Sequence, residues 1–321
     1  MRKVGLFVLM LSVILVVVSC TGQTTENKAI GIIQYVEHNA LDASREGFID
    51  ALSDNGYVDG ENITIDLQNA QADQSNLSTI SDRFVNDQVD LVLAIATPAA
   101  QSIAGKTTEI PILGTAITDY EAAKLVESNE KPGTNVSGTT DMNPIKEQIE
   151  LLVKLVPDAE TVGVIYTSSE ENSVVQAAIA KEEIEALDLT YTEVTVTNSN
   201  DVQQATQSLV EKCDAIYLPT DNVLASSMPV INGVTVQSKT PVICGESGMV
   251  ENGGLATLGI NYYDLGYSTG LMAIKVLEGE AEPATMPIES ASGFDFAING
   301  EVAEQIGLEI PEDLTEYIIE Q

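Results

Sequence analysis

Residues 89–102 read VDLVLAIATPAAQS. The stretch begins as a continuous apolar run, which is typical of a parallel strand buried on both faces. It then changes to small residues, and Pro98, which has no N–H group, suits the first turn of a helix with Thr97 as the N-cap. Such a turn presents free N–H groups at the carboxyl edge of a sheet, where open α/β sheets bind ligands. The stretch predicts an α/β fold and a place for a ligand carboxylate, with an ordinary strand-to-helix turn as the alternative.

Strand and helix patterns alternate along the rest of the chain. The predicted strands fall at residues 29–35, 62–67, 89–96, 110–114 and 136–138, and then, in a second series, at 161–166, 189–196, 215–218 and 241–244. A helix follows most of these strands, including one that runs through residue 236 after the strand at 215–218. Two such series, in a chain of 321 residues, predict two doubly wound, Rossmann-like parallel-sheet lobes with a ligand cleft between them.

The carboxyl-terminal part does not fit a simple division into two halves. An amphipathic helix at 261–279 is followed by short strands at 286–289 and 294–298 and a helix at 300–306. A helix left over after the second lobe can return to the first, so the chain is expected to cross between the lobes near Asp141, near Asn261 and near residues 290–293. The predicted first lobe is 29–141 with 262–290, and the predicted second lobe is 142–261 with 291–321.

The first residues have the features of a secretory signal. Met1, Arg2 and Lys3 precede an apolar run over 4–18 and the small Ser19, so residues 1–19 are predicted to be a signal peptide. Residues 17–20 resemble a bacterial lipobox, in which Cys20 becomes the lipidated first residue of the mature protein; a free cysteine in a plain signal peptide is the alternative. Residues 20–28 are polar and unpatterned, which predicts a flexible tether.

Charge and composition exclude several classes of protein. The net charge of −35 disfavours nucleic acid or an anionic membrane surface as a partner, because both would be repelled. It indicates either adaptation to salt or an acidic solvated surface without a specific role. Cys213 and Cys244 fall at opposite ends of neighbouring predicted strands, too far apart for a disulfide, and are expected to be buried and inert.

Catalytic motifs are missing from the sequence. With one histidine, no Ser-His-Asp arrangement can be assigned, and there is no zinc-type His/Cys cluster, no P-loop and no G-x-G-x-x-G motif. The sequence therefore predicts a protein that is not an enzyme and that has no cofactor and no metal.

Several short motifs resemble one family of transport proteins. The lipobox, the duplicated lobes and the segment from 262 to 283 resemble the type I periplasmic-binding-protein fold. Further stretches are similar to the ABC-transporter substrate-binding family that includes tryptophan- and tyrosine-binding lipoproteins: QYVEH at 34–38, LD at 41–42, GF at 47–48, Leu52, GY at 56–57, ATPAAQ at 96–101, PTDN at 219–222 and PVICGE at 241–246. Together these motifs span essentially the whole mature chain.

The resemblance implies a role in solute capture. The protein would bind a small solute outside the cell and deliver it to a membrane permease driven by a cytoplasmic ATPase, with hinge closure around the solute. It would act as a monomer, anchored to the membrane through lipid on Cys20, on an extracellular or periplasmic face.

The first lobe offers candidate ligand-binding residues after its strands. Tyr35 and His38 follow the first strand and could stack on an aromatic solute, although a loop histidine can also contact solvent alone. In amino-acid-binding relatives, the third and fourth strands supply hydroxyl and backbone N–H groups to the ligand carboxylate. The resemblance therefore points to Thr97, Ala99, Ala100, Thr115 and Thr118.

The second lobe offers Ser169, Asn172, Asn222 and two acids. A ligand ammonium requires an acid whose charge it pairs with, because burying either ion alone is unfavourable. Asp221 is the leading candidate and Glu246 the second. Each acid could also serve its helix, Asp221 as an N-cap and Glu246 as a first-turn acid.

The composition also bears on the solute. The chain has no tryptophan, and sugar-binding members of the fold usually stack sugar rings on aromatic side chains, so a zwitterionic amino acid, such as tryptophan or tyrosine, fits better. The alternatives are an importer receptor for a sugar or nucleoside and a surface lipoprotein that senses a ligand.

Overall fold

The computed structural model describes residues 27–291 and 293–319. The predicted signal peptide, Cys20 and most of the predicted tether lie outside these residues.

One six-stranded sheet forms the first lobe, and all of its strand pairs are parallel. Its strands, from one edge to the other, are β11 (Glu289–Ser290), β5 (Val136–Thr140), β4 (Ile112–Ile117), β3 (Leu91–Ile95), β1 (Lys28–Gln34) and β2 (Ile63–Asn69). Every residue of β3 is buried, as its apolar run predicts. The helices of this lobe are α1 (Asn39–Asp54), α2 (Gln74–Asp87), α3 (Thr97–Ala104) and α10 (Tyr262–Leu277).

A second six-stranded sheet forms the other lobe. Its order is β12 (Asp295–Ile298), β10 (Ala256–Gly259), β9 (Val242–Cys244), β8 (Ala215–Leu218), β6 (Thr161–Thr167) and β7 (Thr190–Val196). Only the β10–β12 pair is antiparallel among the described strands of this sheet. The helices are α4 (Ile145–Leu155), α5 (Glu171–Ala186), α6 (Val202–Val210), α7 (Asn222–Ser226), α8 (Met228–Ser238), α9 (Ser247–Glu251) and α11 (Gly300–Ile306).

The single helix predicted through residue 236 is wrong. The chain forms α7 and α8 instead, with Ser227 between them. Pro229 explains the break, because it cannot donate the hydrogen bond of a continuous helix and its ring would collide with the carbonyl of Ala225.

Helix α10 returns from the carboxyl-terminal part of the chain and packs on α1 in the first lobe. The two backbones approach so closely that a side chain at Gly266 would collide with the Ser44 carbonyl. Gly47 faces the Tyr263 carbonyl in the same way, and Gly270 faces Ala51. The glycines on both helices are therefore required by the close contact.

Three connections join the lobes: residues 141–144, residues 260–261 and the passage from β11 to β12. The predicted fold, two doubly wound lobes with a hinge of three crossings, is confirmed. Within the described residues, no helix combines the length and apolar character that a membrane span requires.

Candidate functional site

A small cavity lies where the two lobes meet. The residues around it are His38, Leu41, Ala116, Asp141, Asn172, Thr220, Asp221, Asn222, Ala225, Glu246, Met249 and Tyr262. They come from the carboxyl ends of strands in both sheets and from the hinge, which is the usual ligand position in open α/β sheets. The free volume is only about 10 Å³, so a solute larger than water requires the lobes or the side chains to move apart.

Buried carboxyl groups dominate the chemistry of this region. Asp141, Asp221 and Glu246 line the cavity, and Glu170 lies next to it; their exposed fractions are 4% or less. No lysine or arginine is among the lining residues. Burial is the main cause that raises the pKa of all four groups, that of Glu246 to about 7.

Asp221 and Glu246 both cap helices. Asp221 is the N-cap of α7 and accepts hydrogen bonds from the N–H of Leu224 (2.9 Å), and from the N–H and hydroxyl of Thr167 (2.6 and 2.8 Å). Glu246 is the N-cap of α9 and accepts from the N–H groups of Gly248 (2.5 Å) and Met249 (2.9 Å). Because these partners are neutral donors, each carboxyl group can still pair with a cation.

Ser169 is not brought to the cavity. Its side chain is exposed, and the next residue, Glu170, turns inward and is 1% exposed. The Glu170 carboxylate accepts hydrogen bonds from the side-chain amide of Asn222 (2.5 Å) and from the N–H groups of Asn222 and Val223 (3.2 Å each). Sequence reasoning missed Glu170, because all six residues at 168–173 are polar and nothing in the pattern tells which one points inward.

Several buried polar atoms have no hydrogen-bond partner. Within residues 27–291 and 293–319 they are His38 Nδ1, Thr97 Oγ1, Asn172 Oδ1 and Asn232 Oδ1. The first three belong to predicted ligand-binding residues that follow strands of the two sheets. An unpaired buried polar atom costs about 1–3 kcal/mol. His38 and Asn172 line the cavity, so their two atoms indicate where a solute would supply the missing hydrogen bonds, whereas Thr97 is not among the lining residues.

The turn after β3 differs from its prediction. Ala96, not Thr97, is the N-cap of α3, and its φ of 81° lies in a region that favours glycine. The N–H groups of Ala99 and Ala100 donate to the Ala96 carbonyl at 3.1 and 3.2 Å, so they are already engaged within the helix. Thr97 is released from capping, and its hydroxyl is buried and unpaired.

Two of the remaining predicted residues point to other partners. The hydroxyl of Thr115 accepts a hydrogen bond from Thr139 at 3.3 Å, and Thr139 bonds Thr269 of α10 at 2.8 Å, so Thr115 faces α10 rather than the cavity. Tyr35 is buried, with its hydroxyl 3.5 Å from the Ala72 carbonyl, and burial raises its pKa. Neither residue lines the cavity.

Hydrogen bonds cross between the lobes around the cavity. His38 Nε2 lies 3.3 Å from Asn222 Oδ1, and Asn39 donates to Glu251 at 2.7 Å. Gln176 of α5 donates to the Thr118 hydroxyl at 3.4 Å. The lobes are therefore in direct contact at the site.

The comparisons with known proteins agree with this architecture. Residues 29–321 match the family described as ABC transporter substrate binding protein. The chain belongs to this family. A tyrosine-binding protein of Clostridioides difficile (strain R20291) is 43% identical over 294 residues, which cover 91% of this chain and 85% of that protein. A family of binding proteins agrees with the prediction that the chain is not an enzyme, and it places the chain outside the cytoplasm, as the receptor of an ABC permease.

Two solved structures bear on the arrangement of the lobes. A domain from Streptococcus pneumoniae in complex with L-Trp is 39% identical and matches with a TM-score of 0.88, covering 91% of this chain and 100% of that one. A ligand-free, open substrate-binding protein with adhesive properties from Clostridium difficile is 46% identical but matches with a TM-score of only 0.69, covering 92% and 99%. Since the more identical protein fits less well, the lobes of this substrate-binding protein are arranged as in the tryptophan complex rather than as in the open form.

Proposed function

We propose that this substrate-binding protein captures an L-amino acid with an aromatic side chain, such as tyrosine or tryptophan, between its lobes and delivers it to an ABC permease. The observation that carries the proposal is the set of buried carboxyl groups around a cavity whose lining contains no lysine or arginine. The relatives that bind tyrosine or tryptophan support the same solute class.

The ammonium group of the solute would pair with the acids of the second lobe. Asp221 is its proposed partner and Glu246 the next, as both line the cavity and neither has a cationic partner among the hydrogen bonds described above. A positive charge that enters this region stabilises the ionised carboxyl groups that burial disfavours. A neutral sugar would leave that electrostatic cost in place.

The rest of the solute would meet groups of both lobes. The Thr97 hydroxyl is a free buried donor at the end of β3, close to the amino end of α3, where a carboxylate is favoured by the helix dipole. The apolar lining residues Leu41, Ala116, Ala225 and Met249 suit an aromatic side chain. Thr118 and Asn172 complete the proposed contacts from their two lobes.

The remaining features of the proposal concern the whole chain. The lobes are proposed as 29–141 with 262–290 and 142–261 with 291–321, in a monomer held at the membrane by lipid on Cys20. Replacing Cys20 with serine should release the protein from the membrane fraction. Sedimentation of the released protein should give the mass of one chain.

A thermal-shift screen of the purified protein tests the solute. The panel contains the twenty amino acids, nucleosides and common sugars, each added in excess. A ligand at about 100 times its Kd adds roughly 2.7 kcal/mol to the free energy of unfolding, which gives a clear rise in Tm. We expect the rise with tyrosine or tryptophan; a rise with sugars or nucleosides alone would overturn the amino-acid assignment.

Two aspartates at opposite ends of β8 provide a matched pair of variants. Asp221→Asn keeps the size of the side chain and one acceptor oxygen but removes the charge, and it should weaken amino-acid binding more than about 30-fold. Asp214→Asn makes the same change in a residue that also accepts backbone N–H groups, from Glu160 and Thr161 at 2.9 and 2.8 Å, but far from the cavity. Equal affinities of the two variants would rule out Asp221 as the ammonium partner.

A further inference from the structure

The Glu170 carboxylate fixes the orientation of the Asn222 side chain. It accepts hydrogen bonds from the Asn222 amide at 2.5 Å and from the backbone N–H groups of Asn222 and Val223 at 3.2 Å each. Glu170 is the acceptor in each of these contacts, and its Oε2 atom also accepts from the side-chain amide of Asn172 at 3.4 Å, so the NH₂ group of Asn222 faces Glu170. The amide oxygen Oδ1 of Asn222 therefore faces the other way.

That oxygen meets the imidazole of His38 across the interface between the lobes. The distance from Asn222 Oδ1 to His38 Nε2 is 3.3 Å. A carbonyl oxygen accepts hydrogen bonds and cannot donate them, so the proton of the neutral ring must sit on Nε2. The ring is neutral near pH 7, because burial lowers the pKa of His38 to about 4.

The other ring nitrogen is left as an acceptor. His38 Nδ1 is buried and has no hydrogen-bond partner, and His38 lines the cavity. An acceptor of this kind is satisfied by a solute that brings an O–H or N–H group. It stays unpaired when the solute has none, which is unfavourable in a buried site.

We propose that Glu170 and Asn222 hold His38 as a hydrogen-bond acceptor, and that His38 selects amino acids whose side-chain ring carries a donor, such as a phenol O–H or an indole N–H. The inference rests on the proposed function, since it concerns the same cavity and the same class of solute. Because Asn222 lies in the second lobe and His38 in the first, the selection is made when the lobes close.

The protonated nitrogen can be observed directly, because the chain contains one histidine. Protein labelled with ¹⁵N-histidine gives ring signals from His38 alone. We expect a neutral ring at pH 7 with the proton on Nε2 when tyrosine is bound and the lobes are closed. A proton on Nδ1, or a doubly protonated ring, would overturn the inference.

Binding measurements test the selection. Tyrosine and tryptophan should bind about 10- to 100-fold more tightly than phenylalanine, which has the same shape without the ring donor. In His38→Phe the acceptor is gone, and the affinities for tyrosine and phenylalanine should lie within about threefold of each other. If His38→Phe loses affinity for all three amino acids by the same factor, His38 does not distinguish rings that carry a hydrogen-bond donor from those that do not.

Glu170→Gln tests the positioning role. The new amide can donate to Asn222 Oδ1, which allows the Asn222 side chain to turn its NH₂ group toward His38 and moves the ring proton to Nδ1. The ¹⁵N spectrum should report this change, and the preference for tyrosine over phenylalanine should fall. An unchanged spectrum and preference would exclude Glu170 as the positioning residue.

The two proposals fail in different ways. If no amino acid binds the wild-type protein, the proposed function is wrong. If tyrosine and phenylalanine bind tightly and equally, the proposed function stands and only the role of His38 is overturned.

Discussion

Tyr262 donates a 2.7 Å hydrogen bond to Asp141, and this bond joins two of the three connections between the lobes. Asp141 begins the first connection, and Tyr262 follows the second. A second hydrogen bond runs in parallel, from the N–H of Ile260 to Asn143 Oδ1 at 3.1 Å. Since Asp141 also lines the cavity, the hinge and the proposed solute site share one buried carboxyl group.

Removing this hydroxyl should weaken the fold. In Tyr262→Phe the buried carboxyl of Asp141 keeps the Thr118 hydroxyl at 2.9 Å but loses its shorter hydrogen bond. An unmet hydrogen bond at a buried acceptor costs about 1–3 kcal/mol, so the free energy of unfolding should fall by that amount. Urea denaturation measures it.

The neighbouring tyrosine is the control. Tyr263 donates to Asp50 at 2.8 Å, but its side chain is 36% exposed, and water can replace the lost hydroxyl. Tyr263→Phe should change the free energy of unfolding by less than about 0.5 kcal/mol. If both variants lose the same free energy of unfolding, the buried hydrogen bond to Asp141 stabilises the fold no more than the exposed one to Asp50.

The stability of the protein should depend on pH through Glu246. Burial, with smaller contributions from Glu251 and Asp141, raises the folded-state pKa of Glu246 to about 7, whereas the unfolded chain has the ordinary value of 4.5. Between these two values the folded state holds the proton that the unfolded state has released. The contribution of Glu246 to the free energy of unfolding is therefore fully present below pH 4.5. It falls as the pH rises and changes no further above about pH 7.

A Glu246→Gln variant isolates this contribution, because glutamine keeps an oxygen for the helix N-terminus but does not titrate. The wild type should lose roughly 2–3 kcal/mol relative to the variant between pH 5 and pH 8. The other buried acids and His38 titrate in both proteins and cancel in the difference. Urea denaturation gives the free energy of unfolding of both proteins across this pH range. If it changes with pH in the same way for both, the pKa of Glu246 is not raised.

The contact between Asn39 and Glu251 should favour the closed form. It links α1 of the first lobe to α9 of the second at 2.7 Å, outside the cavity. Asn39→Ala removes a stabilising contact that exists only when the lobes are together, so the Kd for the solute should rise about 2- to 10-fold. Calorimetry gives the Kd, and small-angle X-ray scattering gives the share of open molecules.

Asn55→Ala provides the matched control for this helix. Asn55 is at the other end of α1 and donates to the Ala51 carbonyl at 2.8 Å within the first lobe. Its loss should leave the Kd unchanged. A similar rise in both variants would mean that α1 itself was damaged and that no inter-lobe contact was measured.

The backbone at Ala96 predicts an unusual result for a glycine substitution. Its φ of 81° and ψ of 152° belong to a region that glycine enters without strain and alanine does not. Ala96→Gly should therefore cost nothing or raise the free energy of unfolding by up to about 1 kcal/mol. Ala94→Gly, in the regular part of β3 and equally buried, should lower it by about 1–2 kcal/mol. Denaturant unfolding measures both variants. If Ala96→Gly lowers the free energy of unfolding as much as Ala94→Gly does, the backbone at Ala96 is not strained.

Much of the fold could be predicted because it rests on local patterns. The apolar run at 91–95, the alternation of strands and helices, and a spare helix near 261–279 each leave a direct mark on the sequence. The break at Ser227 was missed although Pro229 marks it, because the apolar pattern continues through both helices.

The arrangement of the site depends on contacts that no local pattern contains. Asp141 and Tyr262 are separated by 121 positions, and Thr167 and Asp221 by 54. Neighbours in sequence can also differ in direction, as exposed Ser169 and buried Glu170 do. Reasoning from strand ends did lead to His38, Asn172, Asp221, Asn222 and Glu246, which line the cavity. It could not tell that Thr115 would turn toward α10.

The return of α10 to the first lobe limits when this protein can mature. Helix α1 ends at Asp54, but the helix that covers it is not complete until Leu277. A ribosome must therefore make more than four-fifths of the chain before Ser44, Gly47 and Ala51 find their partners on α10. Until then the amino-terminal lobe exposes an apolar helix face, which invites aggregation. A polypeptide built in this way is suited to export in an unfolded state, with both lobes forming only after its last third has arrived.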